Sequence, residues 1–239
     1  MDVKLLDTTR DFDGDLCRNI VSLRTSKDLF ADLAGNDPEL SRTAQAAEMR
    51  VKVNIPPGVI ARGFHYTTAI DYPFATEPYL RSRYGDGTFG VWYGALETET
   101  TYAETAYHMI IDESRLEGVN EVVVRERAVY HVHCRALLTD LSAKRASHPE
   151  LVRDDYTDTL ALARRLVGEG HPGLLAPSAR CDGTSAAIFN RAVLNNPRLQ
   201  YFLTYRYTPH QQTVLVERLP GQPLLRYQLR EGVLHVDRF

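Results

Sequence analysis

The chain has 239 residues, of which 44% are hydrophobic and 25% are charged, and its formal net charge is −3 at pH 7. This length is sufficient for one large globular domain with an ordinary core, or for such a domain with a modest helical extension. The weakly acidic charge, the absence of a Lys/Arg block and the absence of any apolar run of roughly 18 to 20 residues give no support for direct binding to nucleic acid or to a membrane.

The N-terminal part of the chain has apolar residues at helical spacing. They lie three or four positions apart in two short stretches, and Gly35 can end the second. After Pro56-Pro57-Gly58 the composition changes, and runs of β-branched and aromatic residues typical of strands begin. We therefore predict a helical N-terminal extension over residues 1–55 and a main domain over residues 56–239. The residues that carry the helical spacing are Leu16, Ile20, Leu23, Leu29, Phe30 and Leu33.

The main domain is predicted to contain two helices and many strands. Tyr102, Ala106 and Ile110 recur at helical spacing and predict a helix over residues 98–112, and a second helix fits residues 155–167. Because too few helices lie between the strands for a doubly wound sheet, we predict an α+β fold with mixed or antiparallel sheets and flanking helices. The predicted strands cover residues 59–64, 89–93, 122–124, 129–138, 173–178, 186–189, 201–207, 213–219 and 224–229.

The cysteines and the first residues of the chain predict a reduced, cytoplasmic protein. Cys17, Cys134 and Cys181 are odd in number and lack CxxC spacing, so neither a disulfide framework nor a cysteine-rich zinc site is indicated. The start, MDVKLLDTTRDFDGD, has acidic residues where a signal peptide has an apolar stretch. His131 and His133 share one face of a predicted strand without a distant acidic or cysteine partner, which favours a sheet-surface position over a metal site.

Two familiar catalytic signatures are missing. The stretch Arg83-Tyr-Gly-Asp-Gly-Thr-Phe-Gly90 contains neither GxxxxGK[ST] nor GxGxxG, so it is not a typical phosphate-binding loop. Ser178 lies in Ala-Pro-Ser-Ala-Arg, which is neither GxSxG nor SxxK. The sequence therefore predicts neither a P-loop nucleotide site nor a common acyl-transfer serine.

Three segments in order carry a more specific pattern. They are Val59-Ile-Ala-Arg-Gly-Phe-His-Tyr66, then Gly90-Val-Trp-Tyr-Gly-Ala-Leu-Glu-Thr-Glu-Thr-Thr-Tyr-Ala-Glu104, then Gly173-Leu-Leu-Ala-Pro-Ser-Ala-Arg-Cys-Asp-Gly183 running on to Phe189. Together they resemble the RES-domain family, named for its Arg, Glu and Ser. Tyr93 and Glu104 stand eleven residues apart, as the family's strand, turn and helix require.

The resemblance covers roughly residues 57–229, with two departures from the family pattern. An aromatic residue often follows the family's arginine, but here that position is Gly63. The usual Gly-Gly-Arg-Trp-like stretch is echoed loosely by Arg81-Ser-Arg-Tyr-Gly85, which makes Arg83 the candidate for a second arginine.

The resemblance implies an ADP-ribosyltransferase-like core and cleavage of the bond between nicotinamide and ribose in NAD+. It implies catalytic roles for Arg62, Glu104 and Ser178 and NAD-binding roles for Tyr93 and Arg83. NAD+ is then the substrate and not a recycled cofactor, and no metal is required because the leaving nicotinamide departs neutral.

The residue types suit these roles chemically. The Glu104 carboxylate can stabilise positive charge at the anomeric carbon, and the planar guanidinium groups of Arg62 and Arg83 can pair with pyrophosphate oxygens. Tyr93 offers a flat face to nicotinamide and a hydroxyl to ribose, and Ser178 can orient Glu104 or the nicotinamide amide.

Each residue also has a purely structural explanation. Thr101-x-x-Glu104 has capping-box spacing, so Glu104 alone would be assigned to a helix N-terminus. Arg62 suits a strand surface, Tyr93 a sheet interior and Ser178 a turn after a proline. Only their joint order and spacing favours the family interpretation.

Three functions follow, and the two catalytic ones differ in the acceptor of ADP-ribose. The resemblance favours inorganic phosphate or water as acceptor. It then implies a NAD-depleting toxin of a bacterial toxin–antitoxin system, silenced by a cognate antitoxin with a helix-turn-helix DNA-binding part. With a protein side chain as acceptor, it is a protein ADP-ribosyltransferase. The third function is a non-catalytic partner-binding module, since a fold alone does not prove activity.

Overall fold

The computed structural model describes residues 3–22, 67–75, 79–116, 121–219 and 221–239. These residues form an α+β fold, as predicted, in which nine strands belong to one sheet. The described strands are β1 (Thr9–Val21), β2 (Trp92–Ala95), β3 (Val123–Asp140), β4 (Gly173–Pro177), β5 (Thr184–Ile188), β6 (Leu194–Thr208), β7 (Thr213–Leu219), β8 (Gln222–Arg230) and β9 (Val233–Arg238). The described α-helices are α1 (Tyr72–Ala75), α2 (Thr98–Ser114) and α3 (Thr157–Gly168). Short 3-10 helices (Val3–Leu6, Ser142–Lys144, Pro149–Leu151, Arg191–Val193, Pro209–Gln211) and a π-helical turn (Thr67–Asp71) connect them.

The long strand β3 organises the sheet. β1 pairs with it antiparallel along thirteen residues, and the end of β3 pairs parallel with β4. Because β4 pairs with β5, β5 with β2 and β2 with β1, these five strands form a closed circuit. On the other side of β3, strands β6, β7, β8 and β9 add an antiparallel extension.

The helix predicted for the N-terminal part of the chain is wrong where the structure describes it. Leu16 and Ile20 lie in β1, not in a helix. The charged residues Asp11, Asp13 and Asp15 are exposed and alternate with the buried Phe12 and the half-buried glycine between them, which is the two-residue period of a strand. Leu16 and Ile20 are four residues apart, a spacing that fits both the two-residue period of a strand and one turn of a helix. This ambiguity explains the wrong prediction.

Residues 23–66 lie outside the described part of the chain. The predicted helical stretch around Leu29, the boundary at Pro56-Pro57-Gly58 and the strand at Val59 fall in this range. The division into residues 1–55 and 56–239 therefore stays a prediction.

The two longer helices are held by their apolar faces. Ala106 and Ile110 of α2 are fully buried and pack in one cluster with Val129, Tyr205 and Val216 of the sheet. α3 buries Leu162 and Leu166 in a second cluster with residues of β4. A third cluster surrounds Trp92, whose indole N–H donates to the Ala69 carbonyl at 2.7 Å. Within the described residues, no helix combines the length and the apolar character needed to cross a bilayer.

Candidate active site

A cleft of about 820 Å³ runs along α2. Side chains from β2, α2 and the loops before β2, before α3 and after β4 line it, so distant parts of the sequence meet there. The lining residues that matter for its chemistry are Arg83, Tyr93, Glu104, Tyr107, Tyr156 and Arg180.

Glu104, which lines this cleft, forms a direct pair with the buried Ser178 behind it. Ser178 follows the last residue of β4 and is buried, with 1% of its surface exposed. Its Oγ donates to Glu104 Oε1 at 2.6 Å and accepts from the Arg180 backbone N–H at 3.1 Å. The serine therefore fixes one carboxylate oxygen, while Glu104 itself is half-buried and lines the cleft.

The capping explanation of Glu104 is wrong. α2 begins at Thr98 and its N-cap residue is Glu97, so Glu104 lies in the second turn. The Thr101 hydroxyl donates to the Thr98 carbonyl at 2.7 Å, within the first turn of the helix, so Thr101 is not the N-cap residue. Glu104 therefore does not satisfy the helix end.

The loop that carries Ser178 is packed tightly against the start of α2. Ser178 N–H donates to the Gly183 carbonyl at 2.8 Å, and the Arg145 guanidinium donates to the Ser178 carbonyl. A Cβ at Gly183 would lie 1.9 Å from Thr100 Oγ1 and 2.9 Å from Glu97 Oε2. Only glycine fits this contact without movement of its neighbours.

Replacing Gly183 by alanine is expected to lower the free energy of unfolding by about 1–3 kcal/mol, because the added methyl group overpacks this contact. Urea unfolding of the wild type and the variant measures the difference. Gly168→Ala is the matched control, since a Cβ there meets no atom within 4 Å. Equal unfolding free energies for Gly183→Ala and wild type would show that the contact is not tight.

Tyr93 supports the site differently from the prediction. Its ring lines the cleft, but its hydroxyl lies 2.8 Å from Ser82 Oγ and accepts from the Tyr84 N–H at 2.9 Å. Burial raises the pKa of Tyr93 to about 12, so the hydroxyl stays protonated. The hydroxyl thus anchors the turn around Arg83. Its predicted contact with ribose stays a prediction.

Arg18 on β1 stabilises the strand that carries Tyr93 through two contacts. Its Nη1 donates to the Tyr93 carbonyl at 2.6 Å, and its guanidinium lies over the Trp92 ring, 4.9 Å from the centroid. Burial, with a further contribution from the positive charge of Arg127, lowers the pKa of Arg18 to about 9.

Arg83 is fixed at one end of the cleft. Its Nη1 donates to the Leu151 carbonyl at 3.2 Å and also to the Arg153 carbonyl. The guanidinium stacks over the Tyr156 ring, 4.6 Å from the centroid, and 13% of the side chain is exposed. A preorganised guanidinium of this kind can bind an anion without first losing rotamer freedom.

An ion pair ties the Arg83 segment to α3. Asp86 Oδ2 accepts from Arg164, and Asp86 Oδ1 accepts from the Thr88 hydroxyl at 2.6 Å and from its N–H at 2.9 Å. The Thr88 hydroxyl and then Arg164 are the main causes that lower the pKa of Asp86 to about 2.

Asp86→Asn is expected to destabilise the protein at neutral pH and to matter little in acid. Because the folded-state pKa lies below the unfolded value, the carboxylate stabilises the fold above the unfolded pKa, and this contribution disappears as the pH falls from about 4 to about 2. Solvent screening at the exposed Arg164 limits the effect to about 1 kcal/mol. Urea unfolding of both proteins at pH 7 and near pH 2 measures it; a difference that is the same at both pH values would contradict the assignment.

The structure thus brings four of the five predicted site residues together. Glu104, Ser178, Tyr93 and Arg83 surround or support one cleft. Arg62 lies outside the described residues. Its role stays a prediction.

The sequence analysis did not single out Arg180 or Tyr107. The Arg180 guanidinium stacks on the Tyr107 ring at 3.4 Å from the centroid, and its side chain is 7% exposed. Tyr107 follows Glu104 by three residues on α2, so helical periodicity could have placed it on the same face. Arg180 follows Ser178 by two residues, but no local signal indicates that it stacks on a distant tyrosine.

The described residues contain no group of three or more His, Cys, Asp or Glu side chains suited to a metal ion. His131 and His133 lie half-buried in β3, the strand in which they were predicted. The sequence indicated no distant acidic partner for them, but His133 Nε2 lies 3.2 Å from Asp13 Oδ1 on β1.

Comparisons with known proteins place the sequence in a family. The RES domain model matches residues 55–209, about two thirds of the chain. A search of curated proteins gives no significant match. Among solved structures, one similar chain comes from the crystal structure of the M. tuberculosis MbcT–MbcA toxin–antitoxin complex, with 12% sequence identity, a TM-score of 0.47, and coverage of 88% of this chain and 96% of that chain. On the family match, this chain belongs to the RES-domain family.

Proposed function

We propose that the protein cleaves the nicotinamide–ribose bond of NAD+ and so depletes the cell of NAD. The observation that carries this proposal is the Glu104 carboxylate, which Ser178 holds at 2.6 Å within the cleft that Tyr93 and Arg83 also line. A fixed carboxylate beside fixed cations suits a ligand that combines an electron-poor sugar with phosphate groups.

In the proposed reaction, the bond between the anomeric carbon and the nicotinamide nitrogen breaks, and its electron pair leaves with nicotinamide. The ring departs neutral and the ribose becomes oxocarbenium-like. Glu104 stabilises this positive charge because its carboxylate is preorganised by Ser178 and needs no reorientation. Water or inorganic phosphate then adds to the anomeric carbon and gives ADP-ribose or its 1-phosphate, with release of a proton where water is the acceptor.

The arginines supply the other half of the site. Arg83 is held by backbone carbonyls and by Tyr156, so its charge is available to the pyrophosphate. Arg62, from the family resemblance, is a further clamp. In this proposal NAD+ is a substrate, and no metal takes part.

We extend the proposal to a biological role through the family. The protein is a toxin of a bacterial toxin–antitoxin system that acts in the cytoplasm, and a cognate antitoxin with a helix-turn-helix part restrains it.

The test is to incubate the purified protein with NAD+, with and without inorganic phosphate, and to quantify nicotinamide and the sugar product. Nicotinamide release in both arms identifies a glycohydrolase, and release only with phosphate, together with ADP-ribose 1-phosphate, identifies a phosphorylase. A third arm contains cell proteins and labelled NAD+; label on protein, without free ADP-ribose, would instead identify a protein ADP-ribosyltransferase. No nicotinamide in any arm would contradict the proposal and favour a non-catalytic module.

A further inference from the structure

Three side chains converge on one carboxylate at the end of the cleft. Arg180 donates to Asp154 Oδ1, and Arg83 Nη2 forms an ion pair with the same oxygen at 4.0 Å. The Tyr107 hydroxyl donates to the other oxygen, Oδ2, at 3.3 Å. The three side chains come from separate parts of the chain, and all of them line the cleft. Together they surround a small anion that has two oxygens.

The exposure of the partners is unequal. The side chains of Arg180 and Arg83 are 7% and 13% exposed, whereas that of Asp154 is 64% exposed. An exposed carboxylate loses little hydration when it pairs, and it also contributes little to stability. The two guanidinium groups have lost most of their water, and Asp154 is the one acidic side chain that either of them contacts in the part of the chain that the structure describes.

Arg180 also has an unused donor. Its Nε is buried and has no hydrogen-bond partner among the residues that the structure describes. A buried N–H group without a partner is costly and rare in native proteins. Arg180 Cζ lies 3.4 Å from the centroid of the Tyr107 ring, so the ring covers one face of the guanidinium. Its Nη2 binds the exposed Asp154, so a ligand oxygen can reach Nη2 by displacing that carboxylate.

Asp154 remains an anion in this position. Partial burial alone would raise the pKa of its carboxyl, but the hydrogen bond and the charge of Arg180 keep that pKa below its ordinary value. The carboxylate therefore competes with any other anion for the same donors at neutral pH.

We propose that Arg180 is a phosphate-binding residue of the cleft alongside Arg83, and that Asp154 occupies the place of a ligand phosphate until the ligand displaces it. The inference rests on the proposed function insofar as the ligand is a pyrophosphate-bearing nucleotide. On binding, a phosphate takes the place of the Asp154 carboxylate at Arg180 Nη2 and beside Arg83, and Asp154 turns outward into solvent. The backbone N–H of Arg180 donates to Ser178 Oγ at 3.1 Å. The residue that binds the phosphate is therefore linked directly to the serine that orients Glu104.

The test is titration calorimetry with ADP-ribose as the probe, which requires no turnover. Asp154→Asn keeps the shape of the side chain and removes its charge, so we expect affinity to rise about tenfold, because the competing anion is weakened. Arg180→Gln is expected to weaken binding about tenfold or more, since it removes a charge-assisted clamp. Asp158→Asn, an exposed acid on α3, is the matched control for the loss of one negative charge and should leave affinity unchanged.

A second probe, nicotinamide riboside, carries no phosphate and should bind the wild type and all variants alike. Unfolding midpoints report whether each variant folds. Three results would overturn the inference. They are an affinity for ADP-ribose that is unchanged or lower in Asp154→Asn, an affinity that is unchanged in Arg180→Gln, and no binding of ADP-ribose by either wild type or Asp154→Asn.

The calorimetry and the NAD+ cleavage assay can fail separately. If the affinities shift as expected but NAD+ is not cleaved, the phosphate site stands and the proposed reaction is wrong. If NAD+ is cleaved but the affinities do not shift, only this inference is wrong.

Discussion

Glu104→Gln is expected to reduce the rate of nicotinamide release about 100- to 1000-fold while changing KM for NAD+ little, because a preorganised charge that acts on the transition state contributes that much to catalysis. The amide has almost the same shape as the carboxylate and can still accept from the Ser178 hydroxyl at 2.6 Å. What it loses is the negative charge beside the anomeric carbon. Initial rates over a range of NAD+ concentrations give kcat and KM separately.

The matched control is Glu99→Gln, which removes a carboxylate from an exposed position in the first turn of the same helix. It should keep wild-type kcat. A Glu104→Gln enzyme with more than about one tenth of wild-type kcat would contradict a charge-stabilising role, since electrostatic groups of this kind account for larger effects.

Ser178→Ala is expected to lower kcat about 10- to 100-fold by releasing Glu104 from its fixed position, as loss of a supporting hydrogen bond does at other preorganised sites. The variant also leaves the Arg180 N–H without its acceptor, so the free energy of unfolding should fall by about 1–3 kcal/mol. Kinetics and urea unfolding measure the two effects on the same protein.

A double-mutant cycle separates positioning from general structural damage. If Ser178 acts through Glu104, then Ser178→Ala has little further effect on kcat once Glu104→Gln is present, because the charge that it positions is gone. If the reduction of kcat in the double variant equals the product of the reductions in the two single variants, Ser178 acts independently of Glu104. Ser147→Ala, at an exposed serine, should leave both kinetics and stability unchanged.

The helices could be predicted from the sequence because their apolar faces have a clear period. The predicted helix over 98–112 corresponds to α2 (Thr98–Ser114), and the one over 155–167 corresponds to α3 (Thr157–Gly168). α3 buries Leu162, Ala163 and Leu166 on one face. α2 buries Ala106 and Ile110 at helical spacing, although it also buries polar residues such as Thr100.

The strands could be predicted less completely, for reasons of environment. β3 is one strand from Val123 to Asp140, but its polar residues Arg125, Glu126 and Arg127 interrupt the apolar pattern and split the prediction in two. In the fold these residues pair with polar partners, as when Arg125 binds Glu113 at 2.6 Å. β9 was missed because it is exposed along most of its length, so burial imposes no alternation on its sequence.

The identities of three site residues could be predicted from the sequence, but their contacts could not. Tyr93, Glu104 and Ser178 were found because family spacing ties them to a strand, a helix and a loop. That Tyr93 uses its hydroxyl to hold the Arg83 turn, or that Arg180 stacks on Tyr107, depends on contacts between residues far apart in sequence. Such contacts leave no periodic signal along the chain.

A crystal structure of the Glu104→Gln protein soaked with NAD+ tests most directly whether NAD+ is cleaved beside Glu104. We expect the nicotinamide ribose to lie against residue 104 and Tyr93, with the pyrophosphate toward Arg83. Binding of NAD+ away from this cleft, or with its adenosine end at residue 104, would contradict the assignment of the cleft as the site where NAD+ is cleaved.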